Sequence, residues 1–271
     1  MVFPQCACPC KLQQYPEANL CDNRVSRDVF RSLIFGEKNK LSNRNMLTGE
    51  SQSATSGIII FKKKMKREIK PQESIRAEAF ELWMSSPMPM VTLTKTFDVS
   101  NILKISKRNG IKFNALMCWC IIKAASKVEH FYTIPEQGRL YRYDRLATNV
   151  IVNNSKGGIN SCDIPFYENI TQFIEAYNNL TSQAAEKCKS LFLEDYMIVG
   201  TSAMVNTELD CIINQYTNKF CNPMVMWGKY RKTWFKTTLP ISVQFHHVQM
   251  DGGDAARYLE YLQKEIHALR V

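Results

Sequence analysis

The sequence predicts an α/β protein, a two-layer sandwich in which one mixed β-sheet is packed by helices. Two observations lead to this class. Segments whose apolar residues alternate, as in strands, are interspersed along the chain with longer segments of helical period. The chain also has 271 residues, of which 45% are hydrophobic, which is ample for a packed core in one large domain or two small ones.

The N-terminal part of the chain shows no sustained period. Residues 1–60 are rich in cysteine, asparagine, serine and glycine, and only 25–35 is weakly helical. Residues 41–57 are polar and contain several helix breakers, which is typical of a linker. We therefore expect a poorly ordered N-terminal extension of unknown role over 1–60 and a folded domain over 61–271.

The folded domain is expected to open with a possible strand at 58–61 and a helix at 75–83, for which Ser74 is a suitable N-cap. Further strands are predicted at 91–99, 139–143, 148–152, 159–164 and 196–203, and in a hairpin of 223–232 and 233–244. Further helices are predicted at 101–108, 113–127, 170–191 and 255–269. The first of these helices has Ser100 as a candidate cap and Gly110 as its end.

The charge pattern is basic, with a formal net charge of +10, and much of it lies in the run 62–67. A positive field favours an anionic ligand or nucleic acid, but such a run is also typical of a solvated basic strand or linker. No zinc finger, helix-turn-helix or aromatic-basic RNA motif accompanies it, so we expect no nucleic-acid partner. No apolar run is long enough to span a bilayer and no secretory signal opens the chain, so we expect a cytoplasmic protein that does not bind a membrane.

Ten cysteines are present, and we expect reduced thiols because no secretory signal is seen. Four of them lie close together near the start of the chain: Cys6, Cys8, Cys10 and Cys21. Their spacing differs from the usual Cys-x2-Cys pairs of zinc sites, and no second pair follows. We therefore expect no metal site and no bound cofactor.

A histidine pair, His246 and His247, follows the apolar strand pattern of 239–245 and precedes an Asp-Gly-Gly turn at 251–253. Rigid elements that end in a loop often carry chemistry, and a neutral imidazole can take a proton from a hydroxyl near pH 7. A core histidine pair at a strand end is the alternative. The Asp-Gly register, with a strand before it and a helix after it, favours the general base.

The stretch 246–252 resembles the HHxxxDG signature of the chloramphenicol acetyltransferase family, close to the C-terminus as in that family. Three more segments agree in order and spacing. Residues 75–80 are similar to the early WxRxEHF helix, 200–203 to the strand of the active-site serine, and 227–230 to the GKY segment. The resemblance covers about 61–269, is closest to the CatA-like O-acetyltransferase branch, and implies that 61–271 is an acetyltransferase domain with that family's fold.

The resemblance also implies a mechanism. His247 would be the general base that takes the proton of an acceptor hydroxyl as the oxygen attacks the thioester of acetyl-CoA, a co-substrate and not a bound cofactor. Ser202 would donate a hydrogen bond to the tetrahedral oxyanion. His246 would have no role in proton transfer. The reaction would pass through a ternary complex without an acyl-enzyme.

Further roles and the assembly follow from the same resemblance. Asp251 would pair with Arg76 and hold the histidine loop, and would not act as a relay. Lys229 and Tyr230 match positions on the CoA side. Family members are homotrimers with sites at subunit interfaces, where His247 of one chain would face the acceptor pocket of the next.

Two departures from the family pattern fall on the acceptor side. Trp83 stands where a pocket tyrosine is expected, and Met226 replaces a threonine that helps to hold the acceptor. Elsewhere, Asp254 stands where many members have a second histidine. The resemblance makes chloramphenicol, with antibiotic resistance as the consequence, the leading candidate acceptor among small alcohols, and the two acceptor-side changes count against it.

Four alternatives compete with this reading. A cysteine nucleophile is possible at three positions: Cys118, Cys120 and Cys162. Dihydrolipoyl acyltransferase catalytic domains share HxxxDG, but usually as DHRxxDG and with lipoyl modules. Nonribosomal condensation domains carry HHxxxDG near the N-terminus of a longer chain. A trimeric binding protein without activity could keep the same fold.

Overall fold

The computed structural model describes residues 66–217 and 220–271. The expected extension at 1–60 and the possible strand at 58–61 lie outside these residues. Within them the strands are β1 Lys66–Ile69, β2 Met90–Asp98, β3 Thr133–Glu136, β4 Arg139–Tyr143, β5 Leu146–Asn153, β6 Ile159–Pro165, β7 Met197–Ala203, β8 Met224–Trp227, β9 Arg231–Lys232 and β10 Thr237–His246. The α-helices are α1 Ala77–Met84, α2 Ser100–Asn109, α3 Phe113–Ser126, α4 Ile170–Lys187 and α5 Gly252–Ala268, with 3-10 turns at Pro71–Glu73 and Glu129–Tyr132.

The main sheet has seven strands, ordered β2-β10-β8-β7-β5-β6, with β9 added on β10. Strand β7 runs parallel to both β5 and β8, and the other pairs are antiparallel, so the sheet is mixed. A second, antiparallel sheet has the order β1-β4-β3. The predicted α/β class with a mixed sheet packed by helices is confirmed.

One face of the main sheet is covered by helices. Helix α3 packs against α2, α4 and α5 and against β5 and β7, and ten of its residues are buried. A helix that is apolar on all sides in this way needs packing partners on all sides. No helix in residues 66–217 or 220–271 is both long and apolar enough to cross a membrane.

The other face of the main sheet carries polar side chains. Ser242 Oγ lies 2.8 Å from Thr94 Oγ1, and Gln244 Nε2 donates to Thr92 Oγ1 at 3.1 Å. The segment that follows β7 lies over them, because Ile212 donates its backbone N–H to Ser242 Oγ at 2.8 Å. Paired residues of adjacent strands point to the same side of a sheet, so the side chains that pair with Ser242 lie on this face as well.

The starts of two helices differ from the prediction. Helix α1 begins at Ala77, and Ser74 Oγ accepts a hydrogen bond from the Arg76 backbone N–H at 3.1 Å, outside the helix. Ser100 is the first residue of α2, and the Asp98 carboxylate accepts from its backbone N–H at 3.0 Å. In both places a polar side chain accepts a hydrogen bond from the backbone N–H two residues later, and this local bond shifts the start of the helix.

Other boundaries follow the pattern more closely. Gly110 ends α2 with φ 65°, a left-handed conformation in which glycine has no steric penalty, as predicted. Helix α4 ends at Lys187, four residues before the predicted end. Two strands of four residues each, β1 and β3, were not predicted. Strand β1 gains its partner from β4, far away in sequence, whereas β3 forms a hairpin with β4 across Gln137 and Gly138.

Candidate active site

Strand β10 is ten residues long and lies between β2 and β8, so it fixes the histidine pair at its end. The chain then turns sharply. The Val248 backbone N–H donates to His246 Nδ1 at 3.1 Å, and the Gln249 N–H donates to His246 O at 2.8 Å. The His247 N–H donates to Pro89 O at 2.8 Å, which ties the loop to the start of β2.

His246 is 1% exposed. Burial, with a smaller contribution from the nearby His247, lowers its pKa to about 4. The ring is therefore neutral at pH 7, with its Nδ1 accepting the hydrogen bond from Val248. This arrangement suits a side chain that shapes the turn.

The Arg76 side chain holds the histidine loop through three contacts. Nη2 donates to His247 O at 2.6 Å, Nε donates to Val248 O at 3.1 Å, and Nη1 lies 3.3 Å from Asp251 Oδ2. The Arg76 side chain is only 12% exposed, whereas that of Asp251 is 51% exposed. The two residues that the resemblance pairs are thus in contact, although 175 positions separate them.

Asp251 is also the N-cap of α5. Its Oδ1 accepts from the backbone N–H groups of Gly253 at 2.9 Å and Asp254 at 3.1 Å. The hydrogen bond from Asp254 holds the pKa of this carboxyl below its usual value, with smaller contributions from Gly253 and Arg76. The carboxylate therefore fixes the loop at both of its oxygens.

Trp83 stacks on the imidazole of His247, with ring centroids 4.5 Å apart and planes 4° from parallel. It lies seven residues after Arg76, two turns along the same helical segment, so both side chains face the histidine loop. The His247 Nδ1 is buried and has no hydrogen-bond partner among the residues that the structure describes. The predicted acceptor-pocket residue is thus placed directly against the predicted base.

Ser202 is not close to His247 of its own chain. Ser202 pairs with Met226 across β7 and β8, and Met226 pairs with Ser242 across β8 and β10. His246 lies four residues further along β10. The Cα atoms of Ser202 and His246 are therefore two strand spacings and four residues apart, a distance of about 17 Å that their side chains cannot span. A site that uses both Ser202 and His247 needs two chains.

Met226 lies beside Ser202 on the polar face of the sheet and is 3% exposed. Its pairing with Ser242 puts it in the same row of side chains. The two predicted residues, the oxyanion donor and the acceptor-side methionine, are therefore neighbours. Together with the segment that follows β7 they form one half of the candidate site, and the histidine loop forms the other.

Lys229 and Tyr230 line a cavity of about 450 Å³. The other lining residues are Lys112, Phe113, Asn114, Tyr177, Val205, Trp227 and Gly228. A side chain at Gly228 would put Cβ 2.8 Å from Thr207 O, so the close backbone approach there requires glycine. The cavity has two cationic side chains, which suits an anionic ligand.

Sequence analysis missed the three residues that α3 brings to this cavity, Lys112, Phe113 and Asn114. They precede or begin a helix whose sequence is typical of a buried core helix. Their position beside Tyr230 follows only from the packing of that helix. The Phe113 and Tyr230 rings lie 5.4 Å apart. A lysine just before a buried helix is a common pattern, so no local signal distinguishes Lys112.

The cysteine alternative finds no support in this geometry. Burial raises the pKa of Cys118 and of Cys162 to about 12, and it raises that of Cys120 as well. A nucleophilic cysteine needs a lowered pKa, because the thiolate is the reactive form. These three thiols pack in the core.

Comparison with known proteins agrees with the geometry. The chloramphenicol acetyltransferase family model matches residues 68–263. The chloramphenicol acetyltransferase of Proteus mirabilis is 24% identical over 193 residues, covering 70% of this chain and 89% of that protein. Chloramphenicol acetyltransferase 3 of Escherichia coli is 22% identical over 196 residues, covering 70% and 92%.

Solved structures share the fold. One described as chloramphenicol acetyltransferase superposes with a TM-score of 0.66 at 17% identity, covering 74% of this chain and 100% of that one. A probable dihydrolipoamide acetyltransferase from Listeria monocytogenes gives 0.55 at 9% identity, covering 71% and 89%. With the family match over most of the described residues, the chain belongs to the chloramphenicol acetyltransferase family.

Proposed function

We propose that this protein transfers the acetyl group of acetyl-CoA to a hydroxyl of a small acceptor, with His247 as general base. The observation that carries the proposal is the way His247 is held. Arg76 binds its backbone carbonyl, and Trp83 stacks on its ring. A base fixed on both sides is prepared to meet a hydroxyl in one orientation, and general bases contribute about 10²–10⁴-fold in rate.

The reaction has two steps. His247 takes the hydroxyl proton while the acceptor oxygen attacks the thioester carbonyl carbon, and the carbonyl oxygen becomes an oxyanion. Ser202 donates a hydrogen bond to that oxyanion, a kind of contact worth about 3–4 kcal/mol in comparable sites. The intermediate then breaks its C–S bond, and the imidazolium returns the proton to the CoA sulfur, which leaves an acetyl ester and free CoA.

The site in this proposal is shared between two chains of a homotrimer. The separation of Ser202 from His247 within one chain supports this, because no single chain can place both at one carbonyl. Closed cyclic symmetry would repeat the same interface three times and create three identical sites.

The cavity beside Tyr230 would receive CoA. Lys229 and Lys112 supply positive charge for phosphate groups, and Tyr230 supplies an aromatic face. The apolar lining residues of the cavity, among them Val205 and Trp227, suit the pantetheine arm. Acetyl-CoA enters this proposal as a substrate and not as a resident cofactor.

The acceptor would lie between Trp83 of one chain and Met226 of the next. Chloramphenicol, for which the curated relatives are named, is the leading candidate. Acetylation of that drug in the cytoplasm would give antibiotic resistance. Trp83 and Met226 are the acceptor-side positions at which this chain departs from the family pattern, so they would decide whether another alcohol is preferred.

The test is release of the CoA thiol from acetyl-CoA, followed with a thiol reagent, with chloramphenicol and a panel of other alcohols. We expect release that requires an acceptor and falls by at least about 10²-fold in His247→Ala. His267→Ala is the matched control, since His267 is an exposed histidine at the far end of α5. Release that survives His247→Ala would contradict the mechanism. Release with another alcohol alone would change the acceptor and keep the mechanism, and no release with any acceptor would favour a binding protein.

A further inference from the structure

The turn between β9 and β10 carries two aromatic side chains that the candidate site does not use. Trp234 is 96% exposed and Phe235 is 98% exposed. The turn is closed by Thr233, whose backbone N–H donates to Lys236 O at 2.8 Å and whose Oγ1 donates to the same oxygen at 3.0 Å. This four-residue turn, 233–236, is called the aromatic tip below. Its hydrogen bonds fix both aromatic side chains at the end of a hairpin.

The hairpin around the aromatic tip is basic throughout. Residues 228–238 contain four cationic side chains and no acidic one: Lys229, Arg231, Lys232 and Lys236. Arg231 is neutralised by Glu208 and Asp210. Lys236 Nζ lies 3.7 Å from Asp98 Oδ2, although the lysine side chain is still 53% exposed. In the part of the chain that the structure describes, neither Lys229 nor Lys232 has a carboxylate within ion-pairing distance. The cations therefore leave a positive rim behind the two aromatic rings.

The shape of the aromatic tip decides between kinds of partner. A protein partner would have to provide a pocket that closes around a convex pair of rings, since hot-spot aromatics act when they are fully desolvated. A bilayer surface needs no preformed pocket. Tryptophan and phenylalanine side chains settle at the headgroup level, while lysine stems lie along the apolar layer and keep their ammonium groups at the anionic surface.

We propose that the aromatic tip is a peripheral membrane anchor, in which Trp234 and Phe235 enter the headgroup region of an anionic phospholipid bilayer. Lys232 and Lys236 contact the lipid phosphates, because basic side chains next to an anionic surface are attracted to it. The net charge of +10 attracts the whole chain to the same surface. This replaces the expectation from sequence that the protein does not bind a membrane, and it stands whether or not the proposed acetyl transfer is correct.

The experiment is co-sedimentation of the full chain with vesicles of phosphatidylcholine alone and with phosphatidylglycerol added. We expect binding to the anionic vesicles that weakens at high salt. Trp234→Ser/Phe235→Ser should weaken it on the order of tenfold or more, because the apolar contact is lost. Lys232→Gln/Lys236→Gln should weaken binding and reduce its dependence on salt. Ile213→Ser is the matched control, since Ile213 is 76% exposed elsewhere and should leave binding unchanged.

Fluorescence gives a second readout from the same samples. The other described tryptophans are buried or half-buried, so a blue shift on adding anionic vesicles should come from Trp234 and vanish in Trp234→Phe. Binding to anionic vesicles that persists fully in the double serine variant would overturn the proposal, as would an absence of binding. Loss of the oligomer in that variant, measured by sedimentation velocity, would assign the tip to contacts between copies. Tip-dependent binding of single-stranded DNA without vesicle binding would likewise overturn it.

Discussion

Trp83 covers one face of the His247 imidazole, 4.5 Å away and within 4° of parallel. Arg76, from the same helical segment, binds the His247 backbone carbonyl. One short helix thus fixes both the backbone and the ring of the proposed base. Because reaction rates depend strongly on small errors in orientation, we expect changes in this helix to lower the rate of the proposed reaction.

The stack predicts a specific kinetic effect. In Trp83→Ala the imidazole loses its support, and we expect kcat to fall by about tenfold or more while the KM for acetyl-CoA stays near its original value. Trp83→Phe keeps an aromatic face and should retain most of kcat. Steady-state kinetics with both substrates varied would measure this. A rise in the acceptor KM alone, with kcat unchanged, would mean that Trp83 is only a wall of the acceptor pocket.

Arg76 and Asp251 should respond differently to substitution. Arg76→Lys keeps the charge but cannot reach three acceptors with one planar fork, so we expect a loss of about 1–3 kcal/mol in unfolding free energy and a marked fall in kcat. Asp251→Asn keeps an N-cap and breaks only a half-exposed ion pair, so it should cost less than about 1 kcal/mol. Urea unfolding and thiol-release kinetics of both variants check this.

The contrast with Asp251→Ala makes the test sharper. Alanine removes the cap of α5 as well as the ion pair and should cost about 1 kcal/mol more than asparagine. If Asp251→Asn were as damaging as Asp251→Ala, the charge and not the cap would dominate. If Arg76→Lys were harmless, the two backbone carbonyl contacts would be unimportant for the loop.

Much of the fold was predictable because its long elements are sustained apolar runs or alternating ones in the sequence. Helix α3 and strand β10 are apolar runs, and strand β2 alternates. Strand β1 was not predictable, because its partner β4 lies far away in sequence, whereas β3 was missed although β4 follows it across Gln137 and Gly138. The pairing of Arg76 with Asp251 came from the family resemblance, since nothing local connects them.

Features of the candidate site that depend on register could not be predicted. The roughly 17 Å between Ser202 and His246 follows only from the strand pairing of β7, β8 and β10. Lys112 lines the cavity proposed for CoA only because of the way α3 packs. The exposure of Trp234 and Phe235 could not be predicted either, because an aromatic pair in such a stretch is typical of a strand.

His246 predicts a pH dependence of stability. Its pKa is about 4 in the folded chain and near the ordinary value of about 6.5 when unfolded. Below pH 6.5 the unfolded state therefore binds a proton at His246 that the native state does not bind. The unfolding free energy should fall as pH drops from about 6.5 to about 4. The lowered pKa values of Asp98 and Asp251 act mainly below about pH 5, and the raised pKa of Asp163 acts in the opposite direction, so a variant at His246 is needed to separate the histidine.

The check is urea unfolding across that window in the parent chain and in His246→Asn. Asparagine offers an acceptor to the Val248 N–H but does not titrate, so its curve should be flatter between pH 6.5 and pH 4. His267→Asn is the control, because His267 is exposed. Equal slopes in His246→Asn and the parent would show that His246 is protonated in the folded chain.

The shared site predicts rescue between two inactive variants. His247→Ala keeps Ser202, and Ser202→Ala keeps His247, so each homotrimer alone has three defective sites. If one site takes His247 from one chain and Ser202 from the next, every mixed trimer contains one intact site. Random mixing of equal amounts should then restore about a quarter of the parent activity, since about three-quarters of trimers are mixed and each has one good site in three.

The rescue needs exchange of chains, so the two variants are unfolded together in urea and refolded, with separately refolded samples combined afterwards as the control. Thiol release measures activity, and light scattering measures the oligomer. Activity that returns only after joint refolding requires that one chain's histidine work with another chain's serine. If joint refolding gave trimers without activity, while the refolded parent chain recovered its own, the two residues would not share a site. The distance of about 17 Å between Ser202 and His246 in one chain would then leave Ser202 outside the chemistry.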